Sequence, residues 1–162
     1  MVNTLVVSFK MGIEEDIQQR TFRNAHQKAA INLLYTNSWM RERTKIIFDT
    51  EDITPQQFNI LRILRGSFPK PLSTLQIRER MIEKMSDTSR IVDRLITKGL
   101  VKKLVCKNDR RLVDIIITDK GKKLLERLDA RQDEIDSVLR NLSEKEATLL
   151  SDLLEKIRSS EQ

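Results

Sequence analysis

Two short stretches carry side chains whose types and spacing could do chemistry. Ser86-Asp87-Thr88-Ser89-Arg90, with Arg94 one turn later, places hydroxyls, a carboxylate and two guanidinium groups at the head of an amphipathic run. Asn108-Asp109-Arg110-Arg111 places two more guanidinium groups in a polar turn. Hydroxyl and guanidinium groups donate hydrogen bonds, and a guanidinium does so through a rigid fork that matches phosphate oxygens or the edge of a guanine. These groups are suited to holding a polyanion. Bond-making would need a nucleophile beside a base, and the chain has one Cys and one His, Cys106 and His26, far apart in sequence. No catalytic constellation is present, and an enzyme is not expected.

The same scarcity excludes other classes. One Cys permits no internal disulfide and no Cys-rich zinc or iron–sulfur site. One His permits no His-paired metal centre within a chain, so neither metal nor cofactor is expected. Four scattered Gly form no phosphate-cradling loop. No apolar run approaches the ~18 residues of a membrane span. The start, MVNTLVVSFK, lacks a basic region and a cleavage pattern. The expectation is a cytoplasmic protein with no membrane partner.

The length of 162 residues suits one domain with helical extensions, and the formal net charge is +6. The charge is uneven. Residues 73–111 hold 11 basic and 5 acidic side chains, which alone match the net +6. The flanks nearly cancel: residues 1–72 are net +3 and residues 119–162 net −2. A basic centre between near-neutral ends suggests a polyanion-facing surface.

The elements that must position this centre are legible from local signals. Residues 11–48 contain no Pro, and Ile13, Ile17, Ala25, Ala29, Leu33, Met40 and Ile47 recur at helical spacing, so one long helix is expected. Thr54-Pro55-Gln56-Gln57 is a helix start, with Thr54 as cap, Pro55 at the first position and Gln57 closing a capping box. Ser73 caps a short helix to about Arg80, with Leu75 and Ile77 expected inward. Ser86 is expected to open the next helix, which buries Ile91, Val92 and Leu95 and ends at Gly99 in a left-handed cap. Leu100–Lys107 and Leu112–Thr118 read as two strands of a hairpin around the Asn108–Arg111 turn. A helix capped by Thr118 or Asp119 is expected to run to about Leu142, and Ser143-Glu144-Lys145-Glu146 opens the last.

Helix, helix, turn, helix and β-hairpin, in that order, make a winged helix-turn-helix. Such a recognition helix fits the major groove of duplex DNA, and the wing reaches neighbouring phosphates or the minor groove.

The stretch from Thr54 to Gly121 resembles the MarR family of bacterial transcription regulators. The matching pieces are Thr54-Pro55-Gln56-Gln57-Phe58, Ser89-Arg90-Ile91-Val92-Asp93-Arg94-Leu95, Lys98-Gly99-Leu100-Val101, Asp109-Arg110-Arg111 and Ile117-Thr118-Asp119-Lys120-Gly121. The long flanking helices resemble that family's dimerisation region. Three features depart from the pattern. Arg78 stands where the family has a small residue, so either packing loosens there or the side chain snorkels outward. Lys102-Lys103 replaces a more usual arginine. The oxidant-sensing members carry a cysteine near the N-terminus, and this chain has none there.

The resemblance implies a mainly α protein with a small β-hairpin wing. Residues 9–48 and 119–162 would make the helical dimerisation region, and residues 54–118 the winged helix-turn-helix lobe. It implies a homodimeric, sequence-specific double-stranded DNA-binding regulator, read here as a repressor on a pseudo-palindromic operator. Release by a small aromatic or anionic ligand belongs to that reading, with Tyr35 and Trp39 as residues that could stack on one. Expected DNA contacts are Ser86, Thr88, Ser89, Arg90 and Arg94 on the recognition helix, and Asp109, Arg110 and Arg111 at the wing tip. Thr88 and Arg90 are assigned base edges, and Ser86 or Ser89 phosphate. Arg94 either faces DNA or pairs with Asp87 or Glu83. Asp109 would hold Arg111 for the minor groove, while Arg110 meets phosphate. Cys106 reads as a plain strand residue. The rival is a winged-helix protein-interaction module that does not bind DNA specifically.

Overall fold

The computed structural model describes residues 12–105 and 113–159. They fall into two units, residues 1–42 and 43–162.

In the first unit, α1 (Ile13–Asp16) is a single turn with Ile13 buried. The chain then breaks before α2 (Ala25–Asp49), whose last turns belong to the second unit. The expected unbroken helix over 11–48 is therefore corrected. Gln18 takes a left-handed φ of 54°, and a new start follows. Asn24 Oδ1 accepts from the Gln27 backbone N–H at 2.9 Å, and Gln27 Oε1 accepts from that of Arg23 at 2.6 Å. This pairing satisfies backbone donors that the first turn of a helix leaves open. Glu14 pairs with Lys28, whose hydrogen bond holds the Glu14 carboxyl below its ordinary value.

The second unit holds the main core. Thr54 and Gln57 form the expected capping box at the head of α3 (Pro55–Ser67). Ile60, Leu61 and Leu64 of α3 are buried against Ile77 of α4 (Thr74–Arg80), Leu95 of α5 (Thr88–Thr97) and Leu125 and Leu128 of α6 (Asp119–Asp129). Leu75, expected inward, is 54% exposed, whereas Ile77 is fully buried. With only seven residues, α4 presents one narrow inward stripe, and Leu75 stands off it.

The sheet has three strands rather than the expected two. β1 (Leu72–Ser73) adds to β2 (Val101–Val105) and β3 (Val113–Ile117) in the antiparallel order β1-β3-β2. Leu72 pairs with Ile115, and Val101 with Ile117, so these four buried residues stack toward the helices. A hairpin alone is marginal; a third strand and a buried face anchor its base.

Local caps act as foreseen at two joints. Gly99 has φ 70°, its N–H donates to the Ile96 carbonyl, and the Leu100 N–H donates to that of Leu95. This is the paired C-terminal motif that glycine permits. Thr118 caps α6 by accepting from the Gly121 N–H, and its hydroxyl donates back to the Gly99 and Leu100 carbonyls.

Beyond α6 the expected helix to Leu142 is corrected. It divides into α6, α7 (Gln132–Asp136) and a 3₁₀ turn (Ser137–Leu139) before α8 (Glu144–Arg158). Between Leu128 and Ile135 only the exposed Ala130 is apolar, so no buried stripe holds one axis straight. Instead Arg131 turns to the Thr50 hydroxyl at 2.8 Å and to Glu134. Ser143 and Glu146 close the last capping box as expected.

Two arginines pin α6. Arg65 of α3 pairs with Asp129, and Arg127 of α6 grips Glu51 through two nitrogens. The Arg127 hydrogen bonds hold the Glu51 carboxyl below the usual glutamate value. A lowered carboxyl contributes stability above its unfolded-state value, and that contribution is lost as pH falls through the folded one. Glu51→Gln is therefore expected to lower the melting temperature at neutral pH by about 2 °C. The gap to the parent chain should close through the carboxylate range; a gap constant from neutral pH to acid would contradict the pairing.

Candidate nucleic-acid interface

The side chains of α5 divide cleanly between two faces. Thr88, Val92 and Leu95, spaced four and three apart, are buried. Ser89, Arg90, Asp93, Arg94 and Thr97 are exposed, at the spacing that shares one outward face of a helix. The core thus fixes which side chains of α5 stay exposed.

The helix begins one residue later than the sequence suggested. Asp87, not Ser86, is the cap, and its Oδ1 accepts from the Arg90 N–H at 3.2 Å. Ser86 stands half-buried before it, 3.5 Å from Glu83 Oε2. The shift explains Thr88, which was expected at a base edge. It is 4% exposed, and its hydroxyl is engaged with the Met81 sulfur at 3.4 Å and the Ser86 carbonyl at 3.3 Å. Thr88 is a structural residue of the turn.

α3 holds that turn through side chains absent from the sequence-based site. Asn59 Oδ1 accepts from the Ile82 N–H at 3.0 Å, and Gln56 Nε2 donates to Glu83 Oε2 at 3.1 Å. Gln57 is itself 3% exposed. The available signal was a run of amides, Gln56, Gln57 and Asn59, on a helix that must also bury Ile60 and Leu61. Amides turned inward need partners: Asn59 finds one in a backbone N–H of the turn, Gln56 in the Glu83 carboxylate and Gln57 in the Thr54 N–H.

Arg94 pairs with neither Asp87 nor Glu83 among the described residues. It is exposed and lines an open cleft of about 470 Å³ with Asp49, Asp52, Thr54, Gln57, Thr97 and Lys98. Lys98 is tied across this cleft to the Asp52 carboxylate at 2.9 Å and to the Asp52 carbonyl. On the opposite flank Lys103 of β2 pairs with Asp93 of α5 at 3.0 Å. That pair joins the base of the hairpin to the outward face of α5 and offsets the carboxylate there. Arg78, at the departure noted in α4, points outward and is exposed.

Cys106, Asp109, Arg110 and Arg111 lie outside the described residues. His26 is exposed on α2, as is Tyr35, while Trp39 is half-buried. No helix among the described residues is long and apolar enough to cross a membrane.

Known proteins share this arrangement. Residues 53–113, from the turn before α3 to the start of β3, match the MarR family model. The multiple antibiotic resistance protein MarR of Salmonella typhimurium is 30% identical over 108 residues, covering 65% of this chain and 74% of that protein. The crystal structure of a MarR transcription factor from Planctomyces limnophilus is 33% identical with a TM-score of 0.65, covering 83% of this chain and 98% of that one. A mutant MarR from E.coli complexed with operator DNA has the same fold, with a TM-score of 0.70 at 23% identity over 91% of this chain and 99% of that one. Members of this family are transcription regulators rather than enzymes. The helix α5 with one buried and one polar face, a hairpin tied to its flank, and this likeness along most of the chain agree: the chain belongs to the MarR family of transcription regulators.

Proposed function

We propose that the chain is a sequence-specific double-stranded DNA-binding repressor that acts as a homodimer on a pseudo-palindromic operator. The observation that carries this reading is the outward face of α5. Ser89, Arg90 and Arg94 are exposed on a helix whose opposite face is locked in the core. Arg90 meets a base edge, Ser86 and Ser89 meet phosphate, and Arg94 meets phosphate from the cleft side. At the wing, Asp109 orients Arg111 into the minor groove and Arg110 meets phosphate. The operator complex of the E.coli protein, which shares the fold, supports the docking mode.

Residues 9–48 and 119–162 carry the subunit contact in this reading, and residues 54–118 the DNA-binding lobe. Support comes from exposed apolar side chains on α8: Leu149 and Leu153 are 58% and 49% exposed. Such a stripe gains by pairing with a second copy. Two lobes about a two-fold axis then meet half-sites about one helical turn apart, roughly 34–36 Å.

A small aromatic or anionic ligand releases the operator to the extent that it prefers the lobe spacing that does not fit DNA. Titrating Trp39 fluorescence with a panel of aromatic acids tests this part: quenching supports it, and no response across the panel removes it.

The reading as a whole is tested by mobility shift on DNA upstream of the protein's own gene, at two salt concentrations. A complex that resists non-specific competitor and weakens with salt is expected. No complex at low salt, or one indifferent to salt, would favour a protein-interaction module. Within the same assay, Arg111→Ala is expected to lower affinity and reduce the salt slope by about one unit. An unchanged slope would remove Arg111 from the phosphate-and-groove contact.

A further inference from the structure

Met85 stands 99% exposed, the most open large apolar side chain among the described residues. It lies two residues before the Asp87 cap of α5, beside the end of the helix that carries Ser89 and Arg90. Its surroundings are pinned. On one side the Ile82 N–H donates to Asn59 and the Ser86 N–H to the Glu83 carbonyl. On the other, the Ser86 carbonyl accepts from both the N–H and the hydroxyl of Thr88. Four residues earlier, Met81 is 2% exposed and in contact with the Thr88 hydroxyl, so this turn does bury a methionine where the core asks for one. Met85 is instead projected outward from a fixed backbone.

We infer that Met85 is a specificity-determining residue that packs on the C5-methyl of a thymine flanking the base met by Arg90. This rests on the DNA-binding reading above. The thymine methyl is the apolar group that the major-groove edge presents, and polar side chains give it no partner. Arg90, the α5 side chain assigned to a base edge, is a hydrogen-bond donor and reads acceptors only. Methionine is long, unbranched and polarizable, which suits an apolar contact at the mouth of a groove. Its exposure in the free protein is surface that the complex removes from water.

The test pairs a protein change with a DNA change that deletes only the methyl. Wild type and Met85→Ala are titrated against a duplex selected by wild type from a random-sequence pool. Each thymine of one half-site is then replaced in turn by deoxyuridine. At one thymine, loss of the methyl should weaken wild type by about three- to fivefold, the effect of one buried methyl group. Met85→Ala should bind the thymine duplex more weakly by about that factor or more, and should be indifferent to deoxyuridine at that position. An unchanged affinity for Met85→Ala, or a deoxyuridine cost shared equally by both proteins, would overturn the assignment. Because Met85 is 99% exposed in the free protein, the melting temperature of the variant should be unchanged, so weaker binding cannot be laid to unfolding. If wild type selects no duplex, the DNA-binding reading fails first and this inference with it.

Discussion

Replacing Arg90 by alanine is expected to cost about five- to 150-fold in operator affinity at each half-site, with little change in melting temperature. Arg90 is exposed, and its backbone N–H is what Asp87 caps, so the substitution leaves the cap intact. Surface changes away from caps and core contacts are usually within about 0.5 kcal/mol of neutral for stability. A bidentate arginine on guanine is worth about 1–3 kcal/mol of discrimination. Because two lobes bind together, the loss applies at both half-sites. Arg90→Lys should recover phosphate attraction but not the forked base contact. Affinity for unrelated duplexes would then return toward the parent level while preference for the operator stayed low. If Arg90→Ala weakens operator and unrelated DNA by the same factor, Arg90 is a phosphate contact and the base is read elsewhere.

Gly121→Ala is expected to destabilise the fold by about 3 kcal/mol or more, at the upper end of overpacking effects. Helix propensity alone predicts the opposite sign, since alanine in a helix is favoured over glycine by about 1 kcal/mol. The surroundings decide. A Cβ on Gly121 would lie 2.3 Å from the Leu100 carbonyl oxygen and 2.8 Å from Ile117 Cγ1. The carbonyl cannot retreat freely, because it accepts from both the N–H and the hydroxyl of Thr118. Leu100 is also the residue that closes the C-terminus of α5. Relief of the clash would therefore loosen α5, the hairpin base and α6 together. Gly66→Ala is the control: beyond its chain neighbours and the backbone of its own helix, no atom of the described residues stands within 4 Å of a Cβ there, so a neutral or slightly stabilised protein is expected. Thermal melts of the two variants check this, and equal behaviour would contradict the close-approach explanation.

The legible parts of the fold were those written in few adjacent residues. The capping boxes at Thr54 and Ser143, the Ser73 cap and the Gly99 stop need only side chains three or so positions apart, and they stand where the sequence put them. Features that depend on distant partners were harder to read. β1 has two residues and exists because β3 lies beside it. The break before α2 had a local signal after all, in Asn24 and Gln27, masked by apolar residues at helical spacing on both sides. The division of α6 from α7 follows from the absence of anything to bury between Leu128 and Ile135.

The candidate site shows the same pattern at finer scale. Taking Ser86 as the cap set the helix one residue early and turned Thr88 outward. With Asp87 as the cap, Thr88, Val92 and Leu95 share an inward stripe, and the outward set becomes Ser89, Arg90 and Arg94. The amides of α3 and the Lys103–Asp93 pair act across the fold, so no window of sequence displays them.

The most direct measurement is selection of duplexes from a random-sequence pool by the wild-type protein. Recognition by two symmetry-related α5 helices should enrich an inverted repeat with half-site centres about 10–10.5 base pairs apart, and Arg90→Ala should fail to enrich it. A pool that stays random after repeated rounds at low salt would contradict DNA recognition through this face.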